Sequence, residues 1–383
     1  MPARILYGVQ GEGRGHAARS LQVIQWLLAQ GHEVLVLTGG DALPVLEGKD
    51  FPLAEIPMVR YRFGPGGALS PRRTLFGNAL PALGLLTGMG KSFASVSGRA
   101  RAFRPDVIIS DFEPYLSRLA RLRRIPLLAI DHQHFLTESA LPALPGWQKS
   151  LMLRLYQLGT FLLAGRPDRI ITSSFYHFPK KPRSRAVFVG PFIPDTLKNL
   201  RPEHGECVTV YLKQPTFFRD LFPVLARQVE TRFEIFSAWK DGIPTGLPSH
   251  VHLSRIDREA FLASLSRSRA LVTTAGNQVI GEAIYLCKPV LAFPEPDVLE
   301  QELNALALVR SGFGDSFRLE EFSPEVWERF LSRLPVFRTR LEAGFRDRNR
   351  LDGRGRTLRV LRRFLRDIPG PGRLPAQPLP SFS

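Results

Sequence analysis

The first candidate for chemistry is a histidine that follows a glycine-rich loop. A strand-like run over 4–9 leads into Gly11, Gly13 and Gly15, and His16 comes next. Glycines let a backbone turn sharply and approach a ligand closely. Counted from Gly11, the dinucleotide fingerprint G-x-G-x-x-G needs glycine where His16 stands, so a nicotinamide or flavin enzyme is disfavoured. The loop predicts a neutral imidazole at a helix start, either as a general base or as a simple helix cap.

Two further loops of the first half carry polar side chains after strand-like runs. Asp111 is placed to orient His16 or to act as the base itself. Asp131, His132 and His134 form a local cluster, but their spacing is common by chance and no third distant histidine joins them. No Asp-x-Asp triplet occurs in the chain. We therefore expect no metal site and no cofactor.

The second half has a small-residue turn, Thr274 to Asn277, between a strand-like run and a helical pattern. Such a turn at a helix N-terminus suits an anion such as a diphosphate. Glu282 lies one to two turns into that helix, a distance that suits the diol of a ribose. Gln301 and Asn304 share a helix face and offer hydrogen bonds to sugar hydroxyls. A capped helix beside a solvated acidic turn is the plainer alternative.

The elements that must position these residues alternate between short apolar runs and helical periodicity. This pattern predicts an α/β fold with parallel sheets, in which ligands bind beyond the carboxyl ends of the strands. Predicted strands are Arg4–Val9, Glu33–Thr38, Asp106–Ser110, Leu127–Ile130, Arg169–Thr172, Val208–Leu212, Phe233–Phe236, Val251–Leu253, Ala270–Thr273 and Val290–Phe293. Predicted helices are Ala17–Gln30, Arg258–Ser266, Val279–Leu286, Leu299–Arg310 and a basic stretch at Phe337–Arg366.

The chain of 383 residues is long enough for two domains. Residues 1–193 form a first Rossmann-like domain, and the Pro- and Gly-containing segment 188–193 is expected to be the linker. Residues 194–336 form the second domain. Residues 337–368 are expected to be a basic helical segment that packs back toward the first domain, and 369–383 a disordered Pro-rich tail.

The charge is unevenly distributed along the chain. Residues 1–200 hold 25 basic and 13 acidic side chains, whereas 201–339 hold 16 and 18. This asymmetry predicts a polyanionic partner for the first half, or only an arginine-rich composition. Two cysteines exclude a disulfide framework, and neither a secretory leader nor a spanning apolar run is recognised. We expect a cytoplasmic protein, peripheral on the inner face of the cell membrane.

Two segments have few charges. Residues Thr74–Gly90 carry none and are flanked by Arg72, Arg73 and Lys91, which suits either a flap that meets a lipid acceptor and an anionic membrane, or a segment packed on the core. Trp147–Gly165 is expected to be a core helix.

The second-half motif G-N-x-x-x-x-E, followed by K-P-V-L and E-Q-x-x-N-A over residues 276–305, is specific in combination. With the opening GVxGxGxGHxxR, it resembles GT-B-fold nucleotide-sugar glycosyltransferases over about residues 1–345. It looks most like the group related to family 28, which includes the peptidoglycan N-acetylglucosamine transferase and the monogalactosyldiacylglycerol synthases. It resembles more closely still a prokaryotic group of glycosyltransferase-family proteins that open with GVxGxGxGHxxR. The fold it implies is two Rossmann-like domains whose parallel sheets face each other across a cleft.

The resemblance implies a role for each matching residue. It places Gly276 and Asn277 at the donor diphosphate, Glu282 on the ribose hydroxyls, and Glu300 and Gln301 on the donor sugar. It implies a base contact near Ile256, with uracil as the base, and an acceptor-side role for His16 and its glycine loop. Lys213–Thr216 departs from the glycine-rich or serine turn of many relatives, and Cys287 stands where glycine is common.

The resemblance implies a metal-independent, inverting glycosyltransferase that moves a sugar from a UDP-sugar to an acceptor hydroxyl, with a lipid-linked acceptor as a hypothesis. A nucleotide-sugar epimerase or hydrolase on the same fold is one alternative. A non-catalytic basic protein that binds nucleic acid or membrane is another. No nucleic-acid-binding signature accompanies the charge, so a nucleic-acid partner is not expected.

Overall fold

The computed structural model describes residues 2–12, 14–58, 90–144, 146–239, 242–344 and 351–368. Its first sheet contains β1 (Arg4–Val9), β2 (Glu33–Thr38), β3 (Leu53–Glu55), β4 (Val107–Asp111), β5 (Leu127–Asp131), β6 (Arg169–Ser173) and β7 (Val187–Val189). These strands are all parallel and lie in the order β3-β2-β1-β4-β5-β6-β7.

The second sheet contains β8 (Val208–Leu212), β9 (Phe233–Ser237), β10 (Val251–Arg255), β11 (Ala270–Thr273), β12 (Val290–Ala292) and β13 (Gly314–Ser316). It is also parallel throughout, in the order β10-β9-β8-β11-β12-β13. The prediction of two Rossmann-like α/β domains with parallel sheets is confirmed.

Helices connect the strands of both sheets. They are α1 (Arg14–Ala29), α2 (Leu43–Leu46), α3 (Lys91–Phe103), α4 (Pro114–Arg123), α5 (Phe135–Glu138), α6 (Trp147–Ala164), α7 (Asp195–Lys198), α8 (Thr216–Leu225), α9 (Arg258–Arg267), α10 (Asn277–Tyr285), α11 (Leu299–Ser311), α12 (Pro324–Gly344) and α13 (Arg354–Asp367). No helix among the described residues is long and apolar enough to cross a membrane.

The buried strands explain why the sequence pattern located most elements. In β4 and β5 every residue is buried, and each strand begins with an apolar run of three or four residues between helical patterns. The sequence prediction missed the three-residue strands β3, β7 and β13, because such short runs have no measurable periodicity. Strand β7 overlaps the predicted linker 188–193 at Phe188 and Val189.

The C-terminal part of the chain returns to the first domain. Helix α12 runs without interruption through the predicted boundary at 336/337, because Trp327 and Phe337 belong to one apolar cluster of the second domain. Helix α13 instead buries Leu361 in the first domain's core. Gly353 N donates to the carbonyl oxygen of Pro191 at 2.9 Å, and Arg354 pairs with Asp195, just after the end of the first domain, at 2.6 Å. The predicted tail 369–383 and, apart from Gly90, the segment Thr74–Gly90 lie outside the described residues.

Candidate functional site

The site lies where the strand order of the first sheet reverses. Strand β1 pairs with β2 on one side and β4 on the other, so the loops after β1 and β4 leave in opposite directions and open a crevice. Val9, at the end of β1, pairs in register with Asp111, at the end of β4. His16 lies in the first turn of α1, immediately after this crevice.

His16 and Asp111 are in direct contact. The Nδ1 of His16 lies 2.7 Å from Oδ1 of Asp111, across 95 residues of sequence. Asp111 is fully buried and also accepts hydrogen bonds from Nε and Nη2 of Arg19, at 3.0 and 2.5 Å, and from Oγ of Ser20, at 2.9 Å. Burial raises the pKa of Asp111, but Arg19 and His16 outweigh burial and hold the pKa below its ordinary value. Asp111 is therefore an ionised carboxylate that fixes the imidazole ring.

The tautomer of His16 follows from this contact. A carboxylate can only accept, so Nδ1 of the neutral ring carries the proton and Nε2 carries the lone pair. The amide nitrogen Nε2 of Gln133 lies 3.3 Å from His16 Nε2 and 3.4 Å from Oε2 of Glu300. Gln133 thus spans the cleft from the first domain to the second, and the basic nitrogen of His16 points into that cleft.

The glycines before His16 have different surroundings. A Cβ on Gly11 would lie 2.4 Å from the carbonyl oxygen of Gly39, and the Gly11 carbonyl accepts from Asp41 N at 2.8 Å. Gly11 therefore allows the loops after β1 and β2 to touch. A Cβ on Gly15 would lie 3.9 Å from Cβ of Gln278 in α10, so the first turns of α1 and α10 face each other. Gly13 lies outside the described residues.

The second sheet has a matching crevice between β8 and β11. Its loop carries Gly276 at the N-cap of α10, and a Cβ on Gly276 would have no heavy atom within 4 Å. In the same loop, Ala275 has a φ of 60°, and Phe112 in the loop after β4 has a φ of 54°. Left-handed backbone at a non-glycine residue costs about 1–3 kcal/mol and clusters at functional sites. Both crevices thus begin with a strained residue that follows the strand end.

Two residues of the same helix dock the second domain onto the first. Asn277 is buried, and its Oδ1 accepts from Ser174 Oγ at 3.1 Å and Phe175 N at 3.2 Å. Gln278 donates to the carbonyl oxygen of Phe192 at 2.7 Å. The Asn277 side chain, predicted at the donor diphosphate, is therefore bonded across the domain interface, while its backbone remains at the helix N-terminus.

Glu282 is fully buried and its carboxylate is bonded to protein donors. Arg258 donates to it from both terminal nitrogens, from Nη1 to Oε2 at 2.9 Å and from Nη2 to Oε1. Gln278 donates to Oε1 at 2.7 Å. The contact of Glu282 with the ribose hydroxyls stays a prediction. It requires the carboxylate to replace its hydrogen bonds from Arg258 with hydrogen bonds from the ribose. Ile256 is half-buried in the loop between β10 and α9, where the base contact is expected.

Of the three residues predicted near the donor sugar, Glu300 and Asn304 reach His132 of the first domain, and Gln301 binds within the second. Glu300 makes the contact through its carboxylate. It is partly exposed, and its Oε1 lies 3.7 Å from His132 Nε2. Gln301 instead binds Glu295 through both amide atoms, at 2.8 and 3.1 Å. Asn304 donates to the carbonyl oxygen of Ala275 at 3.0 Å and supports that strained residue. Gln301 and Asn304 shape the loops around the cleft.

The two histidines of the β5–α5 loop are both buried, and each has its own hydrogen-bond partner. His132 donates from Nδ1 to the carbonyl oxygen of Ser173 at 2.9 Å, and burial lowers its pKa more than Glu300 raises it. His134 pairs with Asp131 at 2.6 Å, and this carboxylate raises the pKa of His134 against the effect of burial. Within the described residues, no group of three or more potential metal ligands is assembled.

Sequence reasoning missed Arg19, Gln133 and Arg258. Arg19 follows His16 by three residues, so helical spacing places both on one face and is a signal that could have identified it. Gln133 and Arg258 meet the site only through the packing of the two domains and the adjacency of α9 and α10, so no local pattern marks them.

The chain matches a family model described as "Glycosyl transferase family 1" over residues 3–335. An uncharacterized glycosyltransferase of Methanosarcina acetivorans is 23% identical over 336 residues, which cover 81% of this chain and 84% of the relative.

Solved structures share the fold. The calicheamicin glycosyltransferase CalG4 superposes with a TM-score of 0.68 at 16% identity, over 97% of this chain and 100% of the other. The spinosyn rhamnosyltransferase SpnG, solved in complex with thymidine diphosphate, gives a TM-score of 0.63 at 15% identity, over 94% of this chain and 100% of the other.

Proposed function

Because the chain belongs to glycosyl transferase family 1, a glycosyltransferase family of GT-B fold, we propose that it moves a sugar from a nucleoside-diphosphate sugar to an acceptor hydroxyl. The observation that carries this proposal is the lone pair of His16 Nε2, which faces the cleft while Nδ1 is held by an ionised, buried Asp111. Such an imidazole is a general base for a hydroxyl.

The proposed step begins when His16 Nε2 takes the proton of the acceptor hydroxyl. The oxygen attacks the anomeric carbon from the face opposite the diphosphate. The diphosphate leaves, and the configuration at the anomeric carbon is inverted. Asp111 stabilises the imidazolium that forms, and Arg19 keeps the carboxylate aligned with Nδ1.

The proposed donor site is the crevice of the second domain. The open space at Gly276 and the N-terminus of α10 suit the diphosphate, and the first turn of α1 faces them, so two positive helix ends converge there. Ile256 is proposed to contact the nucleotide base. Uracil is the first candidate for this base, and thymine is the alternative suggested by the SpnG complex. Glu300 is proposed for the donor sugar and Glu282 for the ribose.

The proposed acceptor is a lipid or lipid-linked hydroxyl, on the grounds of the basic first half and the apolar segment Thr74–Gly90. None of the reported matches supports the epimerase, the hydrolase or the non-catalytic binding protein.

The test of the donor site is nucleotide binding by Gly276→Val. The Cβ of the new side chain would lie in open space, and we expect the side chain to occupy the proposed diphosphate position. Calorimetry with UDP, dTDP and GDP should show binding of one nucleotide to the wild type and at least tenfold weaker binding by the variant. Gly98→Val is the matched control, because Gly98 is also surrounded by open space but lies in α3. Absence of nucleotide binding by a folded wild type would contradict the proposal.

A further inference from the structure

Helix α6 presents its large apolar side chains to solvent. Only Thr160 and Ala164 of its 18 residues are buried. Six large apolar side chains expose between 47% and 74% of their surface: Trp147, Leu151, Leu155, Leu158, Phe161 and Leu162. The expectation that this segment is a core helix is therefore wrong, because helical content and apolar composition do not reveal which side faces the core.

The side of α6 that contacts the protein is partly apolar and partly polar. Leu153, Tyr156 and Leu163 pack against the apolar clusters of the protein. Among them, Lys149 pairs with Glu302 at 2.6 Å, Gln157 donates to the carbonyl oxygen of Leu136 at 2.9 Å, and the Tyr156 hydroxyl donates to the carbonyl oxygen of Asp297 at 3.4 Å.

A surface helix of a globular protein ordinarily has one apolar stripe, which faces the core, and a polar outer side. The outer side of α6 carries a second apolar stripe instead. Such a stripe is unfavourable in water unless another apolar medium covers it.

The exposed residues form one continuous stripe. Steps of four, four, three and four residues separate Trp147, Leu151, Leu155, Leu158 and Leu162, so they share one side of the helix. At 1.5 Å per residue the stripe is about 22 Å long. Contiguous apolar surface of this kind marks an interaction site.

Basic side chains lie beside the C-terminal end of the stripe. The guanidinium of Arg166 lies 5.5 Å from the centre of the Phe161 ring. Arg118 and Arg121 of α4 line a groove together with Phe161 and Leu162. Neither α4 nor α6 contains an aspartate or glutamate. The surface therefore combines an apolar stripe with a positive border and has no negative group of its own on these helices.

We propose that the α6 surface, formed by the stripe and by Arg118, Arg121 and Arg166, docks on an anionic lipid bilayer. The aromatic and leucine side chains enter the boundary between headgroups and acyl chains, and the arginines bind lipid phosphates. A second copy of this chain is a poorer occupant, because neither α4 nor α6 of the facing copy offers a carboxylate that could bind the arginines.

The opposite side of α6 contacts the second domain at Asp297 and Glu302, which flank Glu300. A bilayer on the α6 surface would therefore lie about one helix diameter, roughly 10 Å, from the mouth of the cleft. The docking itself needs no donor and no catalysis, so it stands or falls separately from the proposed function.

The test is co-sedimentation of the full chain with vesicles of phosphatidylcholine alone or mixed with phosphatidylglycerol, without nucleotide. The wild type should bind the anionic vesicles, and Leu151→Glu with Leu155→Glu should lower the partition coefficient at least tenfold. Val229→Glu with Val336→Glu is the matched control, because both valines are exposed but lie in the second domain. Arg121→Gln with Arg166→Gln should weaken binding and reduce its dependence on salt.

A second readout uses Trp147, which is 74% exposed. Its fluorescence should shift to the blue on anionic vesicles, and Trp147→Phe should remove the shift. The proposal is overturned if the folded wild type stays in the supernatant when anionic vesicles are pelleted, or if the leucine and valine variants bind equally. It is also overturned if the leucine variant only dissociates a wild-type dimer, which would identify a second copy as the occupant.

Discussion

Arg19 binds Asp111 through two nitrogens, Nε at 3.0 Å and Nη2 at 2.5 Å, and both side chains are buried. Arg19 therefore acts on His16 through Asp111. It holds the carboxylate that orients His16, and it removes the charge penalty that a lone buried carboxylate would carry.

Replacing Asp111 by Asn should destabilise the first domain by about 3–5 kcal/mol, because Arg19 would remain as a buried charge without a counter-ion. Denaturant unfolding measures this loss. Adding Arg19→Met to Asp111→Asn should recover part of it, so the double variant should lose less than the sum of the single variants. Additive losses would show that the two residues do not act as a pair.

Replacing His16 by Gln should lower the transfer rate at least ~100-fold, because the amide has no basic lone pair to accept the hydroxyl proton. Nucleotide affinity should change less than twofold, since His16 is proposed on the acceptor side. Release of nucleoside diphosphate in the presence of acceptor measures the rate. His204→Gln is the control, as His204 is exposed and distant in the second domain. A His16 variant with near wild-type turnover would assign the base elsewhere.

Replacing Asn277 by Ala should loosen the contact between the domains. The change leaves Ser174 Oγ and Phe175 N without their acceptor, at a cost of about 1–3 kcal/mol for each buried group. Hydrogen exchange at the Phe175 amide should accelerate, whereas the exposed Asn199→Ala should leave that rate unchanged. Unchanged protection in both variants would mean that Asn277 does not dock the domains.

Glu113 predicts a pH dependence of stability. It is fully buried at the N-cap of α4, and burial raises its pKa to about 7 against the effect of the amides of Leu116 and Tyr115. The native state therefore holds a proton that the unfolded state releases between pH 4.5 and 7, so stability falls as pH rises through that window, by about 3 kcal/mol. Glu113→Gln cannot ionise and should flatten this part of the profile, whereas the exposed Glu320→Gln should not.

Two glycines predict opposite effects of the same substitution. Gly11→Ala would place a methyl group 2.4 Å from the Gly39 carbonyl oxygen and should lower the free energy of unfolding by about 2 kcal/mol or more. Gly98→Ala adds its methyl in open space within a helix and should raise it by up to about 1 kcal/mol. Thermal unfolding distinguishes them, and equal shifts would contradict the assigned contact at Gly11.

Much of the fold could be predicted because its elements have local signatures. The buried strands β1, β2, β8 and β11 have the predicted bounds, since an apolar run between helical patterns marks a strand of a parallel sheet. Helix α1 begins three residues before its predicted start, since a glycine-rich stretch does not reveal where helical backbone begins. The short strands at the sheet edges and the continuity of α12 depended on tertiary packing.

For the candidate site, the sequence indicated residues but not the groups that their side chains contact. His16 and Asp111 could be named because each follows a strand, and their contact depends on β1 and β4 being neighbours. The polar atoms of Asn277, Gln301 and Asn304 were assigned to a ligand, but they are bonded to the protein. A motif identifies which residues belong to a site without stating which atoms they contact.

The sequence by itself determined the α/β class, the two domains, the histidine after its glycine loop and the motif of the second domain, because hydrophobic period and residue spacing are local properties. Tertiary structure alone decided that Arg19 neutralises Asp111, that Gln133 spans the cleft and that α6 exposes four of its leucines while Leu153 and Leu163 pack against the protein. These depend on strand order and domain packing, which join residues far apart in the chain, and on the rotation of a helix about its axis, which its composition leaves open.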